Sequence, residues 1–201
     1  MQPDAANAEE FRRQGYTRIA GFLPPAVVRV VVEECWILQR NGFFKRNDSQ
    51  VPDAPSGYAP LPIEALMNLA TPFMEKIAGR SLWPTYSYMR IYARGNSLER
   101  HQDRDACEFS VSVALASATP DPWPLHFRMP SGEEHSTLLA PGDAVIYSGG
   151  LLEHWRDPLD ADWHMQAFMH FVDRDGPHAA WKYDKRAALG RPAIHGRMME
   201  G

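Results

Sequence analysis

The chain has 201 residues, of which 44% are hydrophobic and 23% are charged, and its formal net charge at pH 7 is −4. This length and composition are typical of a soluble globular protein with a sizeable core, so we expect one domain over residues 1–201. The mildly acidic balance gives no electrostatic reason to expect nucleic acid or a membrane as partner, and no apolar run approaches the roughly 18 residues that span a bilayer.

The first 80 residues predict a helical N-terminal support. Helices are expected at 7–14, at about 25–39 and at about 62–79, with a short strand at 16–20. In the last of these helices four apolar residues fall on one side: Leu66, Leu69, Phe73 and Ile77. Residues 41–61 lack periodicity and are rich in turn formers. A loop this long is commonly a lid or a disordered stretch, and both interpretations stay open.

From Leu82 onward the sequence has the pattern of short strands separated by turn signals. Eight strands are expected at 84–93, 98–103, 107–117, 124–128, 135–139, 143–147, 151–155 and 163–172. They predict a mainly β fold with flanking helices: a double-stranded β-helix, or cupin-like jelly roll, over 82–172, with the N-terminal helices packed on one sheet. Residues 173–201 would form a C-terminal extension, with a helix at 176–191 packing through Trp181.

The only two cysteines are Cys35 and Cys107, which fall in a predicted helix and a predicted strand. We interpret both as reduced, buried thiols, which suits a cytoplasmic protein. The polar and acidic N-terminus also differs from a signal peptide.

Three residues have the chemistry of a metal site. On an extended strand residues i and i+2 point the same way, so His101 and Asp103 could reach one metal ion, and His154 would arrive from a neighbouring strand. Two imidazoles and one carboxylate occupy one face of iron(II) and leave three positions open, which is the facial triad of non-heme iron oxygenases. The alternative is that all three are ordinary polar loop residues.

The sequence around these residues resembles that of a known family. The string Tyr-x-x-Gly-x-x-Leu-x-x-His-x-Asp begins at Tyr92, and Pro-Gly-Asp followed by an apolar residue begins at Pro141, upstream of His154. Both strings resemble those of the iron(II)/2-oxoglutarate-dependent dioxygenases, in particular the prolyl-hydroxylase-like and phytanoyl-CoA-hydroxylase-like branches. The resemblance covers about residues 9–175 and is specific over 86–103 and 138–172.

The resemblance implies iron(II), 2-oxoglutarate and O2 as cofactor and cosubstrates. In relatives a cation nine or ten positions after the distal histidine binds the far carboxylate of 2-oxoglutarate, but here that window holds Trp163 and His164. An arginine fork matches a carboxylate. We therefore expect Arg156 as the anchor, then Arg90, then His164.

Further residues could line the same pocket. Tyr88 and Tyr92 could hydrogen-bond 2-oxoglutarate, or they could be ordinary sheet aromatics. Gln166, Phe168 and His170 share one face of the last predicted strand, which is either the wall of the pocket or a solvated outer face.

The resemblance implies hydroxylation of a small molecule or an amino-acid-like substrate, with release of succinate and CO2. Relatives that halogenate have a small residue at the position of Asp103, so the carboxylate favours hydroxylation. Two alternatives stay open. One is a cupin-like iron dioxygenase whose substrate chelates the metal without 2-oxoglutarate, and the other is a jelly-roll binding module without catalysis.

Overall fold

The structure is a computed structural model that describes residues 4–191. The helices are α1 (Ala5–Gln14), α2 (Pro25–Arg40) and α3 (Leu61–Ala78). The strands are β1 (Tyr16–Ile19), β2 (Ser56–Tyr58), β3 (Leu82–Ala93), β4 (Leu98–His101), β5 (Phe109–Ser117), β6 (Leu125–Arg128), β7 (Glu134–Thr137), β8 (Ala144–Tyr147), β9 (Glu153–Arg156) and β10 (Trp163–Asp173). The division into support, core and extension stays a prediction, and residues 1–3 and 192–201 of the predicted domain lie outside the described part.

Two antiparallel sheets face each other. The larger sheet has the order β1-β8-β5-β10-β3-β2, and the smaller sheet has the order β4-β9-β6-β7. Strands that are distant in sequence are neighbours in both sheets, as in a jelly roll. The predicted jelly roll is therefore confirmed. Within residues 4–191, none of the helices combines the length and apolar character that crossing a bilayer requires.

The N-terminal helices pack on one face of the larger sheet, as predicted. The buried stripe of α3 contains Ile63, Met67, Phe73 and Ile77 and joins the odd-numbered residues of β5 and β10 in one apolar core. The prediction that Leu69 faces this core is wrong, because its side chain is exposed. Apolar residues occur on both sides of α3, so periodicity alone did not identify the packed side.

The larger sheet is buried on both faces. In β10, Met165, Ala167 and Met169 face the helices, whereas His164 and Gln166 are buried on the face toward the smaller sheet. The alternative that the even-numbered face is solvated is therefore wrong. A strand between two packed layers needs no solvent-facing side, so polar residues on it must find partners inside the protein.

The segment after β10 does not form the predicted helix. Residues Ala179–Lys185 form 3₁₀ turns that are broken by a kink, and Tyr183, Asp184 and Lys185 have positive φ. A run of left-handed residues ends any regular helix. The packing of Trp181 is confirmed, since it lies partly buried against the cluster that contains Tyr86.

A buried ion pair fastens this segment to α3. One guanidinium nitrogen of Arg186 lies 2.5 Å from a Glu64 carboxylate oxygen and 3.0 Å from the Thr85 carbonyl. The second Glu64 oxygen accepts from the backbone N–H of Gly190. The side chains of Arg186 and Glu64 are only 1% and 3% exposed, so each charge depends on the other for solvation.

Replacing Arg186 with Met should lower the free energy of unfolding by roughly 3–5 kcal/mol, because it leaves the Glu64 carboxylate buried without a counter-charge. Urea denaturation measures this change. The control is Arg12→Met on the exposed side of α1, which should stay within about 0.5 kcal/mol of the parent protein. A loss for Arg186→Met as small as that of the control would contradict the prediction.

Candidate metal centre

A cavity of about 490 Å³ lies between the two sheets. Its walls come from β3 and β10 of the larger sheet, from β4 and β9 of the smaller sheet, and from the 41–61 segment through Ser49, Gln50 and Pro52. The cavity contains all three predicted metal ligands. Its volume is in the range of small-molecule sites in enzymes, about 300–1,000 Å³.

The two histidines meet because β4 pairs with β9. His101 is directly opposite His154 in this antiparallel pair, and their ring centroids are 4.3 Å apart. Nδ1 of His101 lies 2.9 Å from the Glu99 carbonyl, and Nδ1 of His154 lies 3.0 Å from the Leu152 carbonyl. A carbonyl only accepts, so Nδ1 carries the hydrogen in both rings. In the neutral form of each ring, Nε2 therefore has a free lone pair, which is the form that binds a metal.

Asp103 reaches the histidines by a route that differs from the prediction. Strand β4 ends at His101, so strand alternation does not position Asp103. Its backbone N–H instead donates to the Gly149 carbonyl at 2.9 Å, and its carboxylate Oδ2 accepts from the Ser110 hydroxyl at 2.9 Å. These two contacts fix both ends of the residue.

The third metal-facing atom is the other carboxylate oxygen, Oδ1 of Asp103. It lies 3.5 Å from Nε2 of His101 and 3.6 Å from Nε2 of His154. Donor atoms that each lie about 2.1 Å from a metal in octahedral arrangement are about 3 Å apart. The two distances to Oδ1 are close to the spacing that one ion requires, and the donor atoms of all three residues lie within 4.8 Å of one another.

Protonation also suits cation binding. Burial would raise the pKa of Asp103, but His154 and His101, which are protonated at the acidic pH where a carboxyl group titrates, outweigh it and hold that pKa below its ordinary value. Burial lowers the pKa of His154 in spite of the nearby Asp103. At neutral pH the pocket therefore presents an ionised carboxylate and, at His154, a neutral imidazole. Both can donate electron pairs without first losing a proton.

Arg156 is a buried cation that has no anionic partner among residues 4–191. It is 3% exposed, and one guanidinium nitrogen donates to the carbonyls of Trp123 at 2.6 Å and Pro124 at 3.2 Å. Burial lowers its pKa to about 10, so it stays charged at neutral pH. It lies on β9 two residues after His154 and lines the same cavity, as the alternation of the strand predicted.

Arg90 also lines the cavity, but its guanidinium already forms an ion pair with a carboxylate of the protein. Its guanidinium lies 2.7 Å from Oδ2 of Asp48, and the Tyr88 hydroxyl donates to the same oxygen at 2.5 Å. The side chains of Arg90 and Asp48 are 3% and 1% exposed. Burial would raise the pKa of Asp48, but Arg90 and Tyr88 together lower it. Arg90 and Tyr88 are therefore engaged with the 41–61 segment.

Of the remaining predicted residues, Phe168 and His170 line this cavity, whereas Tyr92, His164 and Gln166 do not. Tyr92 is fully buried and accepts from Arg90 at 3.1 Å. Nε2 of His164 lies 2.7 Å from the Gln166 side-chain oxygen, and the Gln166 amide donates to Ser112 at 2.8 Å. His164, Gln166 and Tyr92 thus form the packing behind the cavity wall.

Three residues that the sequence did not single out for a role are central here: Asp48, Ser110 and Gly149. The alternation of β5 places Ser110 on the face opposite its apolar residues, which was a usable signal. Gly149 was visible only as part of a glycine pair after a strand. Asp48 gave no signal, because its role depends on where the 41–61 segment folds back.

Gly149 allows the carboxylate to approach. A methyl group on Gly149 would overlap Oδ2 of Asp103 and the Cys107 carbonyl, whereas one on Gly150 would meet open space. Gly149→Ala should therefore displace Asp103 and weaken binding of Ni(II) by about 10–100-fold, the usual cost of disturbing a ligand's support. Calorimetric titration measures the affinity, with Gly150→Ala as the matched control. Equal affinities of the two variants would contradict the prediction.

No protein-family profile and no curated protein sequence matches the chain. Comparison of its structure with solved structures does give matches. The epimerase SnoN in complex with Fe3+, alpha ketoglutarate and nogalamycin RO has a TM-score of 0.74 at 16% identity, with 98% of this chain and 97% of that chain covered. A prolyl-4-hydroxylase from Pseudomonas putida has a TM-score of 0.69 at 18% identity, covering 85% and 98%.

HygX from Streptomyces hygroscopicus, with nickel and 2-oxoglutarate bound, has a TM-score of 0.67 at 14% identity, covering 86% of this chain and 88% of that chain. An oxidoreductase of the 2OG-Fe(II) oxygenase family from Burkholderia pseudomallei also matches, with a TM-score of 0.65 at 14% identity. The chain has the jelly-roll fold of the 2-oxoglutarate- and iron(II)-dependent oxygenases.

Proposed function

We propose that this protein is an iron(II)- and 2-oxoglutarate-dependent oxygenase that hydroxylates a small molecule or an amino-acid-like substrate. The observation that carries the proposal is the pairing of two features in one cavity. His101, Asp103 and His154 converge at one end, and an unpaired buried arginine, Arg156, lies on the same strand as His154. The first feature suits iron(II), and the second suits the free carboxylate of a chelating keto acid.

The donor set fits iron(II). Two imidazole nitrogens and one carboxylate oxygen form a mixed N/O set that leaves positions open for further ligands. When bound, iron(II) together with 2-oxoglutarate and O2 supplies the oxidising power for C–H hydroxylation, and 2-oxoglutarate leaves as succinate and CO2. The chain's own contribution is to orient the ligands, through the Glu99 and Leu152 carbonyls and the Ser110 hydroxyl, and to exclude water.

We assign the 2-oxoglutarate anchor to Arg156. A buried guanidinium without a counter-charge is costly, and a bound carboxylate would remove that cost. Arg90 is a poorer candidate, because binding a second carboxylate there would require Asp48 to leave. His164 is poorer still, because its Nε2 is engaged by Gln166 and burial lowers its pKa to about 4. Arg156 thus supplies the cation that the usual window after the distal histidine lacks.

We propose that the substrate is a small molecule. The structurally similar SnoN binds nogalamycin RO, which is a small-molecule ligand of that protein. The cavity volume of about 490 Å³ is in the range of small-molecule sites in enzymes, which supports a substrate of modest size. We propose that segment 41–61 covers this cavity as a lid, because Asp48 joins it to Arg90 and its next residues line the cavity.

We also propose a cytoplasmic location, supported by the free, buried thiols of Cys35 and Cys107.

The proposed reaction predicts succinate formation. Protein loaded with iron(II) without oxygen, then exposed to 2-oxoglutarate and air, should produce succinate even without substrate, by slow uncoupled turnover. Asp103→Ala should abolish it, because two imidazoles alone lose the anionic ligand. Product is quantified by mass spectrometry. Failure of the parent protein to form succinate would contradict the proposal, as would undiminished product from Asp103→Ala.

The anchor assignment predicts a specific binding defect. Arg156→Met should weaken binding of 2-oxoglutarate to the nickel-loaded protein by about 10–100-fold, since a charge-assisted contact is lost. Nickel affinity itself should change little. The control is Arg100→Met, at a 42% exposed side chain of the cavity rim that pairs with Glu134.

Calorimetry of the same samples also tests the alternatives. No metal-dependent binding of 2-oxoglutarate by the parent protein would favour a cupin-like dioxygenase whose substrate chelates the metal. An undiminished affinity in Arg156→Met would overturn the assignment of the anchor and leave the metal site untouched.

A further inference from the structure

His170 lies on β10 in the wall of the cavity, and its hydrogen-bond partner determines its tautomer. Its Nδ1 lies 2.9 Å from the Ser110 hydroxyl oxygen. That hydroxyl also lies 2.9 Å from Oδ2 of Asp103 and 3.4 Å from the Cys107 carbonyl. The ionised carboxylate and the carbonyl only accept, so the single hydroxyl hydrogen of Ser110 points to one of them. His170 must therefore donate from Nδ1 to the Ser110 oxygen.

The opposite nitrogen of His170 is left as an unused acceptor. With the hydrogen on Nδ1, Nε2 carries a lone pair, and within residues 4–191 it has no hydrogen-bond partner. Burial lowers the pKa of His170 to about 4, which agrees with a neutral ring. A buried imidazole with one free lone pair at the edge of a cavity is a site for a ligand's hydrogen-bond donor.

His170 is surrounded by aromatic rings, and the hydroxyl groups of the two tyrosines among them already have other partners. The Tyr86 ring lies 4.6 Å from the His170 ring, and its hydroxyl is 3.2 Å from the Cys107 sulfur. The Tyr88 hydroxyl donates to Asp48. Phe168 lies two residues before His170 on β10, directly opposite Tyr88 on β3. This wall therefore offers apolar contact area together with the acceptor on His170.

The two arginines near this wall are already paired with carboxylates. Arg104 follows Asp103 and lies 3.0 Å from the Asp184 carboxylate, while Arg90 pairs with Asp48 at 2.7 Å. An anionic group that bound at either of these arginines would have to displace its internal carboxylate. The wall thus favours a neutral ligand with an apolar body.

We infer that His170 is a substrate-binding residue, whose Nε2 accepts a hydrogen bond from a hydroxyl group of the substrate while the apolar body packs on Tyr86, Tyr88 and Phe168. The substrate class is then a neutral alcohol or phenol with an apolar or aromatic frame. This inference rests on the proposed function, because only an enzyme has a substrate, but binding of the ligand can be measured without turnover.

The test uses matched probe pairs that differ in one hydroxyl: benzyl alcohol with ethylbenzene, 2-phenylethanol with propylbenzene, and cyclohexylmethanol with ethylcyclohexane. Binding is measured by ligand-observed NMR on the nickel-loaded protein, with and without 2-oxoglutarate. For at least one pair the alcohol should bind about tenfold more tightly, the value of one hydrogen bond. His170→Phe should remove this preference, whereas His170→Gln, whose side-chain carbonyl still accepts, should restore part of it.

The control is His178→Phe, which alters a histidine outside the cavity and should keep the preference. The absence of any hydroxyl preference in the parent protein, or its survival in His170→Phe, overturns the inference. If 2-oxoglutarate does not bind but the preference is present, the proposed function fails and the inference about His170 stands as one about a binding site.

A second measurement does not depend on the folding of variants. In the ¹⁵N-labelled parent protein, the Nε2 resonance of His170 should be that of an unprotonated nitrogen at neutral pH, and it should shift when a preferred alcohol is added. A hydrogen on Nε2 in the free protein overturns the tautomer from which the inference starts.

Discussion

The close approach of the loop before β9 to the end of β4 is the constraint on which the site depends. The pairing of these strands places His101 opposite His154, and the loop places the Gly149 backbone against Asp103. Because residue 149 has no Cβ, the carboxylate can lie where a side chain would otherwise be. Backbone pairing therefore brings the donor atoms of three residues from two distant parts of the chain within 4.8 Å of one another.

Charge is distributed in the cavity so that one cation is left over. Asp48 neutralises Arg90, Asp184 neutralises Arg104, and Glu134 pairs with Arg100 at the rim. Within the described part of the chain Arg156 donates hydrogen bonds only to carbonyl oxygens and lies over the Trp123 ring, and burial lowers its pKa without removing its charge at neutral pH. Since a buried charge gains most from an opposite charge, this arrangement is the basis of the proposed carboxylate site at Arg156.

The larger sheet has two buried faces, one apolar and packed on helices, the other polar and facing the cavity side. One face of β5 and β10 packs with α3 and is apolar, so it supplies the hydrophobic free energy of the fold. The other face carries Ser110, which contacts Asp103 and His170, and Gln166, which contacts Ser112 and His164. Polar groups are tolerated there because their partners lie on neighbouring strands, and the same strands hold them in place.

The sequence by itself determined most of the strand pattern, the three N-terminal helices and the three metal-binding candidates, because these depend on local periodicity and on residue chemistry at short spacing. It also indicated Arg156, through strand alternation after His154. The partner of each polar residue was decided only by the tertiary structure: Asp48 on Arg90, Ser110 on Asp103 and Gln166 on His164. Such contacts join residues far apart in the chain, and the same alternating pattern is compatible with a solvated or a buried polar face until the second sheet is in place.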